Sequence, residues 1–222
     1  MNDIQYQGRP AQREGSEQRR LRILEATLAI IVRDGIRNVR HRAVAKEADV
    51  PLSATTYYFK DISDLIADAF TLFAERALDE VIEPFRQQAF ALLAEFDTAQ
   101  LADPQSRSRL LSSLADMTTL FMLSESREKR SHLVAEQAFL QEAMMDSRLR
   151  DLALVYVGQL VSVLRAACDK LGTTAPEADA ELMWGSFMSL EHRLLLDPSF
   201  SQQQLRALVY RMLELFMTAE HD

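Results

Sequence analysis

Between Arg40 and Lys60 the chain gathers the side chains best suited to meeting nucleic acid. Arg40, His41, Arg42 and Lys60 are basic groups that can grip phosphate oxygens. Ser53, Ala54, Thr55, Tyr57 and Tyr58 offer hydroxyls, a small methyl and two phenols, which are groups that touch base edges in a major groove. The chemistry implied is recognition of duplex DNA, with cations fixing register and small polar groups reading sequence.

Such groups need rigid elements to aim them. Val44 and Ala48 share one apolar face of a helix expected from about His41 to Ala48, and Ala45 and Ala48 are small enough for a second helix to approach. Asp49 stands where the chain must reverse, and Asp tolerates positive φ. Pro51 pushes Val50 out of helical space. A second helix, Leu52 to Phe59, is expected to face inward with Leu52, Thr55, Thr56 and Phe59 and outward with Ser53, Ala54, Tyr57 and Tyr58. In a helix-turn-helix it is this second helix that enters the groove. Support comes from an earlier helix, opened by Ser16 as N-cap, apolar through Leu21, Leu24, Leu28, Ile31 and Val32, and closed after Asp34 by Gly35. Arg19, Arg20 and Arg22 lie near its start. Residues 1 to 15, with Gly8, Pro10 and Gly15 among polar neighbours, read as a disordered arm carrying Arg9 and Arg13.

Composition agrees with helices throughout. The 222 residues are 48% hydrophobic, with only six glycines and six prolines. The net charge of −8 is unevenly spread: residues 1 to 60 carry a balance of +4 and the remainder −12. Electrostatics would therefore present one end of the molecule to phosphate. The polar N-terminus lacks a secretory apolar core, and no apolar run approaches the ~20 residues of a membrane span, so a cytoplasmic protein with no membrane partner is expected. Cys168 stands between Leu164 and Leu171 on an apolar face and reads as a reduced core thiol.

Further along, helices are expected at about 62–80, broken by Pro84, then 85–96, 107–123, 128–145, 148–171, 176–196 and 202–220, with 97–106 a loop. In the middle helices Met117, Phe121, Met122, Phe139, Met144, Met145 and Tyr156 are bulky, adaptable side chains that suit an apolar effector pocket. In the last two helices Trp184, Phe187, Met188, Leu194, Leu205, Leu208, Met212 and Phe216 supply more apolar surface than one internal face needs. They are the candidate interface of a homodimer built from two helices of each subunit. Two subunits would also match palindromic operator half-sites about 34 Å apart.

The chain resembles the TetR-family transcriptional regulators. The resemblance rests on Ile23-Leu24-Glu25-Ala26, on Gly35, on the run Arg42 to Val50, on Tyr57-Tyr58-Phe59-Lys60 and on Asp64-Leu65. It covers residues 20 to 70, and the rest matches only in length and helical character. It implies that Arg42 contacts a base or phosphate, that Ser53, Ala54, Tyr57 and Tyr58 lie at the DNA surface, and that Lys60 lies near the backbone. Asp49, Pro51 and Ile62 depart from the residues usual in that family. Ile62 removes one expected phosphate contact, which leaves backbone grip to Lys60 and the Arg40–Arg42 run.

The resulting expectation is an all-α protein: a disordered arm (1–15), a three-helix helix-turn-helix DNA-binding domain (16–60) and a helical effector-binding and dimerisation domain (61–222), joined through helix 62–80. Its function would be that of a ligand-responsive regulator, a repressor released from operator DNA by a small, largely apolar effector. No cofactor or metal is expected. An enzyme finds little support, since His132 with Glu128 and Glu136 at i±4, and His192 after Glu191, supply neither a nucleophile with its base nor a full ligand set. Solvated faces are the expectation for both. The alternative is a helical ligand-binding or interaction protein that does not bind DNA.

Overall fold

A computed structural model describes residues 6–9 and 14–217, and among these every regular element is helical. The helices are α1 (Glu14–Asp34), α2 (His41–Glu47), α3 (Leu52–Tyr58), α4 (Ile62–Arg76), α5 (Glu83–Ala94), α6 (Thr98–Ala102), α7 (Pro104–Arg127), α8 (Arg130–Ala143), α9 (Ser147–Leu171), α10 (Pro176–Leu196) and α11 (Gln202–Met217). A 3₁₀ turn at Ile36–Asn38 and a π-helical stretch at Ala77–Ile82 complete them.

The chain forms two compact units, one from residues 1–78 and 131–157, the other from 79–130 and 158–222. The division does not fall at residue 60. In the first unit α1 packs on α4 and α2, and α2 packs on α3, around Ile23, Leu24, Ile30, Ile31, Val44, Phe59 and Leu65, all buried. α8 and the start of α9 belong to the same unit and contribute Phe139, Leu149 and Tyr156. Phe139 stacks on Phe70 with centroids 4.8 Å apart, and Tyr156 meets Phe70 edge-on at 5.9 Å. Phe139 and Tyr156, candidates for an effector pocket, are thus core residues here. His132 stacks on Phe73 at 4.6 Å, and Glu136 is buried and accepts a hydrogen bond from Tyr156. The solvated face expected for His132 and Glu136 is in fact an interior one.

In the second unit α7 packs on α11, α10 and α5. Leu110, Leu114, Met122, Cys168, Met183, Leu205, Val209 and Met212 make its core. Arg206 forks onto Asp116 and fastens α11 to α7. Cys168 is fully buried against the Met183 sulfur at 3.5 Å, and burial pushes its thiol up to about 11. Leu205 and Met212, offered as dimer contacts, are spent on this core. On α10 and α11 the exposed large apolar residues are Leu182, Leu196, Leu208 and Leu215.

Three local expectations change. Pro84 does not interrupt the helix: Ala77 and Ile82 keep helical backbone angles, and the wider π turn between them precedes a proline in the first turn of α5. The wider π turn makes room for the proline ring and its missing N–H, so the backbone stays helical through it. The loop 97–106 holds α6 and the start of α7, whose N-cap Asp103 accepts from the Ser106 amide at 2.8 Å. α9 is long and apolar enough, by length and composition alone, to cross a membrane. Leu149, Ala153, Tyr156, Leu160, Cys168 and Leu171 are its buried residues, and Leu154 is exposed.

Candidate nucleic-acid interface

The helix-turn-helix is set by its backbone. α2 ends with Asp49 at φ 50°, and the flanking amides close the reversal: Val50 donates to the Ala45 carbonyl at 3.0 Å and Asp49 to that of Lys46 at 3.3 Å. This six-to-one and five-to-two pairing is the Schellman arrangement that satisfies the last carbonyls of a helix. Pro51 then stands before α3 in extended geometry, and its carbonyl accepts from the Ala54 amide at 2.9 Å. Gly35, at φ 86°, makes the matching break after α1, a conformation that side chains disfavour.

α3 is rotated from the expected orientation. Ser53, Thr56 and Tyr57 are exposed and Ala54 half-buried, whereas Thr55 and Tyr58 are buried. Leu52 and Thr56, expected to face inward, are exposed. The cause is the helix end: Phe59 is extended (φ −127°, ψ 120°), so it swings into the core off the helix and Tyr58 follows the inner face. The Tyr58 hydroxyl donates to the Ser16 carbonyl at 3.1 Å and lies 2.8 Å from the Ser16 hydroxyl. Ser16 therefore sits within α1 and holds α3, instead of capping α1. Thr55 donates to the Leu52 carbonyl at 2.8 Å, which leaves the His41 ring nitrogen, 3.2 Å away, to donate to the Thr55 oxygen. Thr55, Tyr58 and His41 thus position the two helices.

The remaining candidates stay at the surface. Arg42 and Lys60 are exposed at the start of α2 and just after α3. Arg40 is exposed too, with its guanidinium donating to the carbonyls of Arg37 (2.7 Å) and Val39 (2.8 Å). A groove runs along α3, with Ser53, Ala54 and Tyr57 on one side and Arg19 and Arg22 of α1 on the other. The spacing of Arg19 and Arg22 near the start of α1 was visible in the sequence, but their convergence on α3 needed the fold.

The described part of the arm is also placed. Tyr6–Arg9, expected to be disordered, lie along the unit's surface: Arg9 donates its amide to the Tyr58 carbonyl at 3.0 Å, and its guanidinium sits 4.7 Å over the Tyr57 ring. Asp68 of α4 anchors them. Its carboxylate is fully buried and accepts from the amides of Gln7 and Gly8 and from Arg20 at 2.6 Å. Arg20 in turn lies under the Tyr6 ring. A Cβ at Gly8 would come within 2.6 Å of the Asp68 oxygen and 2.9 Å of the Phe59 ring, so only glycine fits. Arg13, the other cation of the arm, lies outside the described residues.

Whole-chain comparison identifies this architecture. A putative TetR-family regulator from Rhodococcus sp. superposes with a TM-score of 0.64 at 22% identity, covering 91% of this chain and all of the other. The chain has the TetR-regulator fold. A multidrug binding protein, EbrR, solved in complex with imidazole, superposes over 87% of this chain and 94% of its own at 25% identity, with a TM-score of 0.56. In sequence, 65 residues are 37% identical to the HTH-type transcriptional regulator PksA of Bacillus subtilis, and the chain spans about a third of that relative's length (32%). No family model matches the sequence. Among the described residues no cluster of His, Cys, Asp or Glu is arranged to hold a metal ion.

Proposed function

We propose that this protein is a DNA-binding transcriptional regulator of the TetR type, acting as a homodimer on palindromic half-sites and released from its operator by a small effector. The observation that carries the reading is the groove on which Arg19, Arg22, Ser53, Ala54 and Tyr57 converge, in a unit that also exposes Arg42 at the start of α2 and Lys60 just after α3. Cations there hold the phosphates, and the outer face of α3 reads bases. Exposed Leu208 and Leu215, one heptad apart on α11, with Leu182 and Leu196 on α10, support a dimer surface. A cleft in the second unit, lined by Phe121, Met122, Trp184 and Phe187, supports an effector site, and EbrR was solved with a small molecule bound. Along the chain α4 leads through 77–82 into α5, whose Phe85 also lines that cleft, and this continuous segment carries the signal. An effector releases DNA only by binding the DNA-incompetent conformation more tightly.

The test is a mobility shift with the protein's own promoter region, repeated across salt. Specific retardation whose affinity falls steeply with rising salt supports the reading, because neutralised phosphates release counterions. A protein that fails to shift that DNA at low salt is a helical ligand-binding protein instead.

A further inference from the structure

We propose that Arg9 is a phosphate contact of the DNA interface, held in place by the buried carboxylate of Asp68; the inference deepens the regulator reading above and rests on it. Each of the consecutive residues Tyr6 to Arg9 has an anchor on the helices of the first unit. The Tyr6 hydroxyl donates to Glu75 of α4, and its ring lies 4.3 Å from the Arg20 guanidinium. The Gln7 and Gly8 amides donate to the two Asp68 oxygens, and the Arg9 amide donates to the Tyr58 carbonyl at the end of α3. Asp68 is fully buried and paired with Arg20, so this acceptor belongs to the core and not to the surface. Gly8 lies against it because it has no Cβ to meet the carboxylate or the Phe59 ring.

The anchoring delivers one cation to a defined place. The Arg9 guanidinium sits 4.7 Å over the ring of Tyr57, and Tyr57 also lines the groove whose other side is formed by Arg19 and Arg22. Stacking engages the flat face of a guanidinium and leaves its in-plane N–H donors directed outward, a fork that matches phosphate oxygens. Arg9 is exposed, and among the described residues it forms no ion pair with a carboxylate. Arg20, Arg33, Arg76 and Arg148 of the same unit are each paired with one. The amide bond to Tyr58 would by itself tie the segment to α3, so the Arg9 charge is left for another task. Ordering a segment costs backbone entropy, and here that order fixes an uncommitted arginine on an aromatic ring at the DNA-facing groove. Because the grip comes from Asp68 and Glu75, the position of this cation follows α4 as well as α3.

The test is fluorescence anisotropy of the full chain on two labelled duplexes, one from its own promoter region and one of unrelated sequence, across a range of salt. Arg9→Ala should weaken binding to both by the same factor, because phosphates carry no sequence, and make log affinity against log salt shallower by about 1 per bound subunit. Between ~50 and ~200 mM salt the variant should therefore lose about 3-fold less affinity per subunit than the unsubstituted protein. Arg9→Lys keeps the charge and should keep the slope. Gly8→Ala keeps every charge but displaces the segment from Asp68, so its affinity and slope should fall toward those of Arg9→Ala, and adding Arg9→Ala to it should change little more. Circular dichroism, with concentrations corrected for folded fraction, separates these effects from loss of fold. An unchanged slope in Arg9→Ala overturns the contact, even if its melting temperature falls as for a structural clip. Weakening on the promoter duplex alone overturns the phosphate assignment in favour of base reading, and undiminished affinity in Gly8→Ala overturns the placement by Asp68. In all three cases the unsubstituted protein still binds its promoter and the regulator reading stands. An unsubstituted protein that binds neither duplex overturns that reading and this inference together.

Discussion

Tyr57 and Tyr58 are adjacent, yet the structure gives them opposite duties, and two substitutions separate these. Tyr58 is 4% exposed, and its hydroxyl makes two contacts with Ser16, tying the end of α3 to α1. Tyr58→Phe keeps the ring and deletes those contacts. At ~0.5 to 1.5 kcal/mol per hydrogen bond, and with Ser16 only half-buried, the expected loss is about 1 to 2 kcal/mol. For a chain of this length that lowers the melting temperature by about 2 to 8 °C. Tyr57 is 56% exposed, so Tyr57→Ala should alter stability by no more than ~0.5 kcal/mol. It removes, however, a phenol at the groove and the ring beneath the Arg9 guanidinium. If Tyr57 touches DNA, a loss of about 1 to 2 kcal/mol in operator binding follows, or ~5- to 30-fold in Kd. Calorimetry gives the stabilities, and fluorescence anisotropy on labelled operator DNA, with concentrations corrected for folded fraction, gives the affinities. The reasoning is refuted if Tyr58→Phe weakens DNA binding more than Tyr57→Ala while leaving the melting temperature in place.

Further outcomes follow from the charges. Asp68→Asn leaves Arg20 buried beside a neutral partner and should cost about 3 to 5 kcal/mol by urea denaturation of the first unit, since breaking one side of a buried pair strands the other. Arg19→Ala and Arg22→Ala should each weaken binding to all sequences alike and reduce the slope of log affinity against log salt by about 1, which a salt titration reads directly. The Cys168 thiol, lifted by burial from 9.0 to about 11, binds its proton more tightly folded than unfolded. Its contribution to stability is therefore complete below pH 9 and lost as pH climbs toward 11. Denaturation curves across that range should show the loss, and Cys168→Ala should lessen it. A thiol reagent at pH 8 should label the native protein slowly and the urea-unfolded protein at once.

What could be read in advance, and what could not, divides by the range of the interaction. Asp49 in positive φ, Pro51 before α3 and Gly35 after α1 are local consequences of residue type, and each stands where the sequence placed it. The rotation of α3 was hidden, because Phe59 was counted as the last residue of a helical face when the helix stops one residue earlier. That single residue turned Tyr58 from surface to core. Arg20 and Asp68 lie 48 positions apart and show no joint pattern until α1 packs on α4. By sequence Phe121 and Met122 suit a pocket, and Trp184 and Phe187 a dimer surface. Only the fold brings them, with Phe85 and Glu191, around one cleft. Leu205 and Met212 were indistinguishable by periodicity from Leu208 and Leu215, since burial depends on which side of α11 meets α7.

The carboxylate of Asp68 also sets a kinetic property of the amino terminus. The amide protons of Gln7 and Gly8 point at a fully buried acceptor that belongs to α4 and is shared with α1. Exchange of these two protons requires their hydrogen bonds to Asp68 to break. In hydrogen exchange, these two amides should therefore keep their protons longer than unbonded exposed amides do, at a rate set by the release of residues 7 and 8 from Asp68. They become a clock for the hold of α4 on this segment, readable without any substitution.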